Sequence, residues 1–272
     1  MPKGGGAIRG MGEKFAADPV RGSLGGTVPL AVSPGRSAFG PALAVHYDSS
    51  AGNGPFGFGW QLAVPAITRK TDTGLPRYFD RESSDTFILA GSEDLVPLLE
   101  DMGAAGWSQP VVTRSLHGRR YRVESYRPRV EGSFARIERW TNLADPSDCC
   151  WRSIARNNVT SWYGRTPESR ISDPEHAERI FSFLLCESHD DKGNLIVYRY
   201  AAEDSRGVPS AAHERNRTPG SRAAHRYLKR ILYANREPYL PDVNAPAPPP
   251  APTDFCFELV FDYGDHHPSV PL

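Results

Sequence analysis

The sequence lacks both a net charge and long hydrophobic runs. Its 272 residues carry 32 basic and 32 acidic side chains, which cancel. A chain without a whole-molecule field does not concentrate polyanions, so we expect neither nucleic acid nor an anionic membrane surface as a partner. The stretch from Phe181 to Cys186, interrupted by Ser182, falls far short of the ~20 apolar residues that cross a bilayer. We therefore expect no membrane insertion by this chain.

A Sec-type leader is missing as well. The first nine residues, Met1 to Arg9, contain three consecutive glycines and no apolar stretch of about 7–15 residues. Any export of the protein should therefore use another route, after a period in the cytoplasm.

Cysteine is scarce and its spacing is uninformative. The four cysteines are Cys149, Cys150, Cys186 and Cys256, and no C-x-x-C pair occurs. Neighbouring cysteines rarely satisfy disulfide geometry with each other, so the spacing favours neither a zinc site nor a disulfide framework. We predict reduced, structural thiols, because free cysteine is usually buried.

Two glycine-rich motifs have functional interpretations that their neighbours weaken. The segment Gly52–Gly57 fits G-x-G-x-x-G, but a dinucleotide site also needs a helix that begins in the loop, and Pro55 and Gly59 oppose one. The segment Gly35–Gly40 resembles a nucleophile elbow with one residue too many before its last glycine. We interpret both as turns.

Histidine and carboxylate signatures of catalysis are incomplete. His213-Glu214 lacks the second histidine of H-E-x-x-H, and His266-His267 beside Pro268 is more typical of exposed side chains than of a metal site. No Glu-x-Glu pair occurs in the chain. Basic residues between Arg114 and Arg129 interleave with Tyr121 and Tyr126, which could follow a phosphate backbone, although a solvated strand face fits better. The sequence predicts no catalytic, cofactor-binding or metal-binding residue, and hence no enzyme and no cofactor.

Glycine and proline are abundant, with 25 residues of each. Both disfavour long helices, so strands and turns are expected, with helix only briefly, for example after Asp173-Pro174. In the last predicted strand, Phe255 and alternate residues through Tyr263 share one face. The predicted strands are Leu43–Tyr47, Trp60–Thr68, Thr86–Leu89, Leu95–Leu98, Arg120–Ser125, Phe134–Thr141, Asn158–Tyr163, Arg179–Cys186, Leu195–Tyr200, Arg226–Tyr233 and Phe255–Tyr263.

The connections complete the predicted organisation. Residues 1–40 read as an extended Gly/Pro-rich arm that docks on a β domain spanning 41–272, and the turn residues 187–194 predict a hairpin. Residues 201–225 are polar, and the proline-rich 236–253 should be an extended polyproline-like surface loop, with an SH3-type ligand as a less favoured interpretation. Because the chain stops just after its clearest strand, we expect a partner strand further on, in a longer protein.

Several strings together resemble the N-terminal domain of the Salmonella virulence plasmid B (SpvB) family. These strings cover most of the chain and are most specific in its first sixty residues. They begin at Lys3 (KGGGAIRGMGEKF), Ser33 (SPGRS), Phe39 (FGP), Tyr47 (YDSSAGNGPFGFGW), Ile67 (ITRKTD), Gly74 (GLPRY), Phe87 (FILAGSEDLVP), Asn158 (NVTSWYG), Tyr227 (YLKRILY) and Phe261 (FDYGD).

The resemblance implies an all-β fold of multi-stranded antiparallel sheets and hairpins, forming part of an Rhs/YD-like β shell with Gly/Pro-rich loops. The same domain opens the B components of insecticidal toxin complexes. The implied partners are a C-type component rich in Rhs/YD repeats and an A-type channel protein, both contacted through regions beyond this chain. Asp191–Tyr200 is similar to a single YD-type repeat unit. The implied role is non-catalytic: a structural module of a shell that encloses and helps deliver a toxin, secreted or extracellular after export.

Two other interpretations stay open. The chain is a carrier domain if an ADP-ribosyltransferase, whose family chemistry uses a Glu-x-Glu pair, lies outside it. It is a carbohydrate- or surface-binding β module if Trp107, Trp140, Trp151 or Trp162 is exposed, because aromatic faces suit sugars as well as cores.

Overall fold

The computed structural model describes residues 14–18 (backbone only), 22–91, 93–132, 134–204, 212–242, 245, 249 and 251–264. Within these ranges the strands are β1 Lys14–Asp18, β2 Ser23–Pro29, β3 Ala44–Asp48, β4 Asn53–Gly54, β5 Gly57–Phe58, β6 Trp60–Leu62, β7 Ala66–Arg69, β8 Phe87–Leu89, β9 Glu93–Pro97, β10 Glu100–Asp101, β11 Trp107–Ser108, β12 Val111–Leu116, β13 Arg119–Pro128, β14 Arg136–Asn142, β15 Cys149–Ile154, β16 Thr160–Tyr163, β17 Arg170–Ser172, β18 Ile180–His189, β19 Leu195–Ala202, β20 Arg226–Asn235 and β21 Phe255–Val260. One α-helix, α1 (Pro219–Ala223), and the short 3-10 turns Arg36–Ala38, Asp80–Glu82, Gly103–Ala105, Pro167–Ser169 and Ala212–Glu214 complete the described elements. The predicted all-β class is confirmed.

The chain forms two compact units. The first comprises residues 1–34 and 40–64, and the second comprises 35–39 and 65–272. In the described part of the first unit, an antiparallel sheet has the order β1-β2-β3-β6. The rings of Tyr47 and Trp60 lie 5.1 Å apart on this sheet. The prediction of an arm over 1–40 and a domain over 41–272 stays a prediction.

The second unit holds a large antiparallel sheet that closes on itself. Eight of its strands follow one another in the ring order β7, β8, β9, β13, β14, β15, β16 and β18, after which β18 pairs with β7 again. Strand β12 pairs with β13 outside the ring, and β19, β20 and β21 extend the sheet from β18. Closure satisfies the backbone hydrogen bonds of the ring strands without leaving an edge among them.

Several strand predictions need correction. The predicted strand Trp60–Thr68 is two strands, β6 and β7, because Pro65 has no N–H to donate and separates them at the boundary between the two units. Nine of the described strands were not predicted: the two-residue strands β4, β5, β10 and β11, and the longer strands β1, β2, β12, β15 and β17. The glycines of β2 and the polar alternation of β12 hide their pattern. The remaining predicted strands coincide with observed ones within a few residues, and the hairpin across residues 187–194 is confirmed as β18 and β19.

The helix predicted after Asp173-Pro174 is wrong. The backbone there makes two successive turns, in which the amide of His176 bonds to the carbonyl of Asp173 and that of Arg179 to the carbonyl of His176. The Asp173 carboxylate accepts from the amide of Glu175 and pairs with Arg179, which favours the turn over a helix. The described α-helix, α1, lies instead within the polar segment 201–225, for which no helix was predicted.

Candidate functional site

The interior of the closed ring is filled with aromatic side chains. Phe87 on β8 and Trp151 on β15 lie opposite each other in the ring order, yet their ring centroids are 4.9 Å apart. Phe183 lies 6.3 Å from both, and Tyr126 lies 4.8 Å from Trp151. Eight strands enclose a space that side chains can just fill, so this ring has a packed core rather than a channel.

Charged side chains occupy one end of the ring interior. Arg69 continues the inward face of β7 beyond Ile67, and its guanidinium lies 4.8 Å above the ring of Phe87. It donates to Asp80 at 2.6 Å and to Asp85 at 2.7 Å, while its Nε donates to the carbonyl of Ile180 at 2.7 Å. Because both aspartates belong to the connection between β7 and β8, this one buried arginine holds the connection over the mouth of the ring.

A second arginine reaches the same carboxylate from across the ring. Arg139 on β14 is 4% exposed, and its Nη2 donates to Oδ2 of Asp80 at 2.6 Å. Burial opposes ionisation of Asp80, but the hydrogen bond from Arg69 and the charge of Arg139 outweigh burial and lower the pKa of Asp80. Asp85 also has a lowered pKa: burial is again opposed by hydrogen bonds from the backbone N–H groups of Arg77 and Tyr78 and by the charge of Arg69. Both carboxylates are therefore ionised at neutral pH.

A cleft of about 590 Å³ opens beside this cluster, between the 78–82 segment and the ends of β13 and β14. This volume lies within the range of small-ligand pockets. The cleft is lined by Tyr78, Phe79, Asp80, Arg81, Glu82, Arg122, Glu124, Arg139, Thr141, Asn142, Leu143, Pro146 and Glu178.

The floor of the cleft presents arginines whose hydrogen-bonding capacity is only partly used. Arg122 donates to Glu124 at 2.8 Å through Nη2, while its Nε has no partner among the described residues. The Nε of Arg139 is likewise buried without a described partner. The lining contains aromatic, apolar and charged groups but no histidine, cysteine, serine or lysine. Such a lining is suited to binding by ion pairing and apolar contact.

A second cluster of buried charged residues lies on the outer face of the ring, in contact with tryptophan side chains. Glu138 is 1% exposed and accepts from the indole N–H of Trp140 at 3.0 Å and from Arg152 at 2.7 Å. The guanidinium of Arg152 lies 4.9 Å from the ring centroid of Trp140 and 5.6 Å from that of Trp162. Burial opposes ionisation of Glu138, but Arg152 and Arg136 outweigh it and lower its pKa.

This burial corrects the hypothesis of an aromatic sugar-binding surface. Trp140, Trp151 and Trp162 are at most 1% exposed and belong to cores on the two faces of the ring. Trp107, in the small β10–β11 hairpin, is 69% exposed, so of the four candidates it is the one that reaches the surface.

The two glycine motifs form turns in the described chain. Gly52–Gly57 leads into the two-residue hairpin β4–β5, with no helix following it. Gly35–Gly40 contains the 3-10 turn Arg36–Ala38, whose arginine donates to Asn194 at 2.8 Å.

The remaining sequence candidates are distributed over the structure. Glu214, next to His213, is paired with Arg222 at 3.0 Å, and His266 and His267 lie outside the described residues. The described residues contain no cluster of three or more potential metal-ligating side chains. Nor does this part of the chain include a helix with the length and hydropathy that a bilayer crossing requires.

The basic segment and the cysteines have structural settings. Arg114–Arg129 contributes the β12–β13 hairpin, in which Tyr121 is buried and donates to Asp148 at 2.6 Å. All four cysteines are free. Cys149, Cys150 and Cys186 are buried, as expected of structural thiols, whereas Cys256 is exposed and departs from that expectation.

Sequence reasoning missed Arg69, Asp80 and Arg139 altogether. A signal was present in β7, where Arg69 follows Ile67 at a spacing of two and so had to share its inward face. The convergence of Asp80 on both arginines had no such signal, because it depends on how the ring closes.

A family model and the curated relatives of this chain both indicate the same family. The family described as the Salmonella virulence plasmid 65kDa B protein, SpvB, matches residues 18–272. The curated mono(ADP-ribosyl)transferase SpvB of Salmonella typhimurium is 36% identical over 282 aligned residues, which cover 100% of this chain and 44% of that protein. The chain therefore spans less than half the length of the curated relatives it matches.

Solved structures agree over nearly the whole chain. The N-terminal domain of the effector SpvB from Salmonella typhimurium LT2 is similar with a TM-score of 0.74 and 36% identity, over 90% of this chain and 75% of that one. The TcdB2-TccC3 structure without its hypervariable C-terminal region has a TM-score of 0.78 and 32% identity, over 99% of this chain and 12% of that one. The Photorhabdus luminescens Tc holotoxin pore has a TM-score of 0.78 and 32% identity, over 97% of this chain and 12% of that one.

Proposed function

Because this chain belongs to the SpvB family, we propose that it is a non-catalytic structural module of a toxin-complex B-like protein, where it contributes to a β shell that encloses and helps deliver a toxin. The observation that carries this proposal is the similarity to TcdB2-TccC3, which extends over 99% of this chain at a TM-score of 0.78. A likeness of that extent is expected when the chain occupies the corresponding position in a similar assembly.

The architecture suits a wall element. The ring of eight strands has a packed aromatic core and no free edge, which gives a rigid body. From it, β19, β20 and β21 extend as an open sheet whose last strand pairs on one side only in the described chain. Such an edge can accept a further strand of a larger shell.

The proposal includes partners and location. A C-type component rich in Rhs/YD repeats and an A-type channel protein would bind through regions outside this chain, and Asp191–Tyr200 would act as one YD-type hairpin unit. The protein would be cytoplasmic before export and extracellular afterwards, by a route other than Sec. The extended arm of residues 1–40, docked on a domain of residues 41–272, belongs to the same proposal.

The test is assembly of the natural full-length product that carries this chain. Co-expression with its C-type component, followed by size-exclusion chromatography and negative-stain electron microscopy, should give a closed hollow particle. A product that stays separate from every C-type component encoded beside it would contradict the proposal. In parallel, this chain incubated with radiolabelled NAD and cell extract should transfer no label.

A second candidate function is that of a carrier domain for an ADP-ribosyltransferase that lies outside this chain. Two observations favour it: the curated relatives are named mono(ADP-ribosyl)transferases, and this chain covers 44% of their length. The two functions predict different full-length products: the carrier transfers label from NAD and forms no hollow particle, whereas the shell component forms the particle. A sugar-binding role rests on Trp107 alone, and a glycan array without hits would exclude it.

A further inference from the structure

Two of the carboxylates that line the cleft are paired with arginine. Asp80 is paired with two arginines, because its two carboxylate oxygens accept from Arg69 and Arg139. Glu124 is 6% exposed and is engaged by Arg122. The two acidic groups on the floor are therefore already neutralised by arginine.

Arginine donors that no carboxylate uses remain in the cleft. Arg122 keeps donors beyond its single bond to Glu124, and its side chain is 38% exposed. Arg81 lines the same cleft and has no ion-pair partner among the described residues. Arg139 is 96% buried, since its exposed fraction is 4%, and its Nε lacks a partner in the described chain.

The walls limit what the acceptor can be. Phe79 and Leu143, 53% and 52% exposed, supply apolar surface at the rim, and Tyr78 supplies a further ring. Glu82 and Glu178 also line the cleft. Their negative charge disfavours a dianion such as phosphate more strongly than a carboxylate with a single charge.

We propose that this cleft is a binding site for a carboxylate group attached to an apolar or aromatic body, held by Arg122 and Arg81 and packed against Phe79 and Leu143. The carboxylate comes either from a small organic acid or from an acidic side chain of a polypeptide. The proposal does not depend on a role in a toxin shell, and either can fail without the other.

The test uses nuclear magnetic resonance of the isotopically labelled chain, following the backbone amides of residues 78–82 and 141–143. Benzoate provides the free carboxylate, benzamide its uncharged counterpart, phenyl phosphate the dianion, and the capped peptide acetyl-Gly-Phe-Glu-Gly-amide the polypeptide source. Saturable shifts with benzoate or with the peptide, and weaker shifts with benzamide and phenyl phosphate, are expected. The tighter of the two carboxylates identifies the source.

Variants at two positions of the cleft test the proposal, so that it does not depend on a single substitution. Arg122→Gln should weaken carboxylate binding about tenfold, the loss of one charged hydrogen bond, whereas Arg156→Gln, at an exposed arginine outside the cleft, should not change it. Because Leu143 is exposed, Leu143→Asp should weaken binding and Leu143→Lys should strengthen it, with Leu240→Asp as the matched control at an exposed leucine outside the lining.

Three outcomes would overturn the proposal. They are equal shifts with benzoate and benzamide, tighter binding of phenyl phosphate than of either carboxylate, and Leu143→Asp and Leu143→Lys variants that bind alike. The proposal would also be overturned if neither benzoate nor the peptide gave a saturable shift.

Discussion

The indole of Trp151 lies 4.9 Å from the ring of Phe87, although the two residues belong to strands on opposite sides of a closed ring of eight. This contact spans the whole interior, so each side chain packs against strands that are far apart in the sequence. Trp151 is 0% exposed and also contacts Tyr126 and Phe183.

Trp151→Ala should therefore leave a cavity that the ring cannot collapse to fill. We expect the free energy of unfolding to fall by about 3–5 kcal/mol, measured by urea denaturation followed by circular dichroism. Trp107→Ala is the matched control, because Trp107 is 69% exposed, and it should change stability by less than about 0.5 kcal/mol. Equal effects of the two substitutions would contradict the packed ring interior.

Much of the β pattern could be predicted from sequence because it is local. Phe255, Phe257 and Leu259 alternate with more exposed residues, and the strand they predict is present as β21. The turn residues between Cys186 and Leu195 predicted the β18–β19 hairpin for the same reason.

Closure of the ring could not be predicted in this way. It depends on β16 pairing with β18 while β18 also pairs with β7, contacts that join residues as distant as Ile67 and Phe183. For the same reason the tryptophans of β14, β15 and β16 were considered as surface groups. Ring closure buries Trp151, and arginines lie over Trp140 and Trp162, which are buried as well.

Asp80 is the shared acceptor of two buried arginines, so neutralising it should be costly. Asp80→Asn leaves Arg139 without a carboxylate and Arg69 with Asp85 alone. Since the Asp80 side chain is 27% exposed, we expect roughly 2–3 kcal/mol of destabilisation, below the value for fully buried pairs. Asp72→Asn, at a half-exposed partner of Lys70, should cost less than about 1 kcal/mol in the same denaturation assay. A neutral Asp80→Asn variant would show that the cluster does not stabilise the fold.

Acid should destabilise the protein through its buried carboxylates. The pKa values of Glu138 and Asp80 are lowered in the folded state by their arginine partners, despite burial. A folded-state pKa below the unfolded value means that the contribution is present above about pH 4.3 for glutamate and 3.9 for aspartate, and is lost as pH falls through the lowered pKa. The urea midpoint should therefore decrease between pH 5 and pH 3.

Glu138→Gln should make that decrease shallower, whatever its effect on stability at pH 7, because it removes one group that must be protonated. Glu168→Gln, at an exposed glutamate, is the control and should leave the pH dependence unchanged. A slope that Glu138→Gln does not alter would exclude Glu138 from the acid response.

Gly164 is required where β16 ends against the ring core. Its φ is +66°, and a Cβ there would lie 2.6 Å from Cδ1 of Phe183, a fully buried ring. Gly91 has a similar φ of +76° with nothing within 4 Å of such a Cβ. Both alanine variants incur the strain of the left-handed region, about 1 kcal/mol, but Gly164→Ala should also displace Phe183 and lose a further 1–3 kcal/mol or so. Thermal unfolding of the two variants isolates the steric contribution, and equal melting temperatures would show that Phe183 can move aside at no cost.

Thiol reactivity should separate Cys256 from the other three cysteines. Cys256 is exposed on β21, whereas Cys149, Cys150 and Cys186 are buried. Burial raises the pKa of the Cys186 thiol to about 11 and that of Cys150 higher still, so at pH 8 neither offers the thiolate that reacts. Titration with a disulfide reagent should give one fast thiol in the native protein and four in urea. Cys256→Ser should abolish the fast reaction and leave three slow thiols. Any fast thiol in this variant would mean that β15 or β18 opens to solvent in the native state.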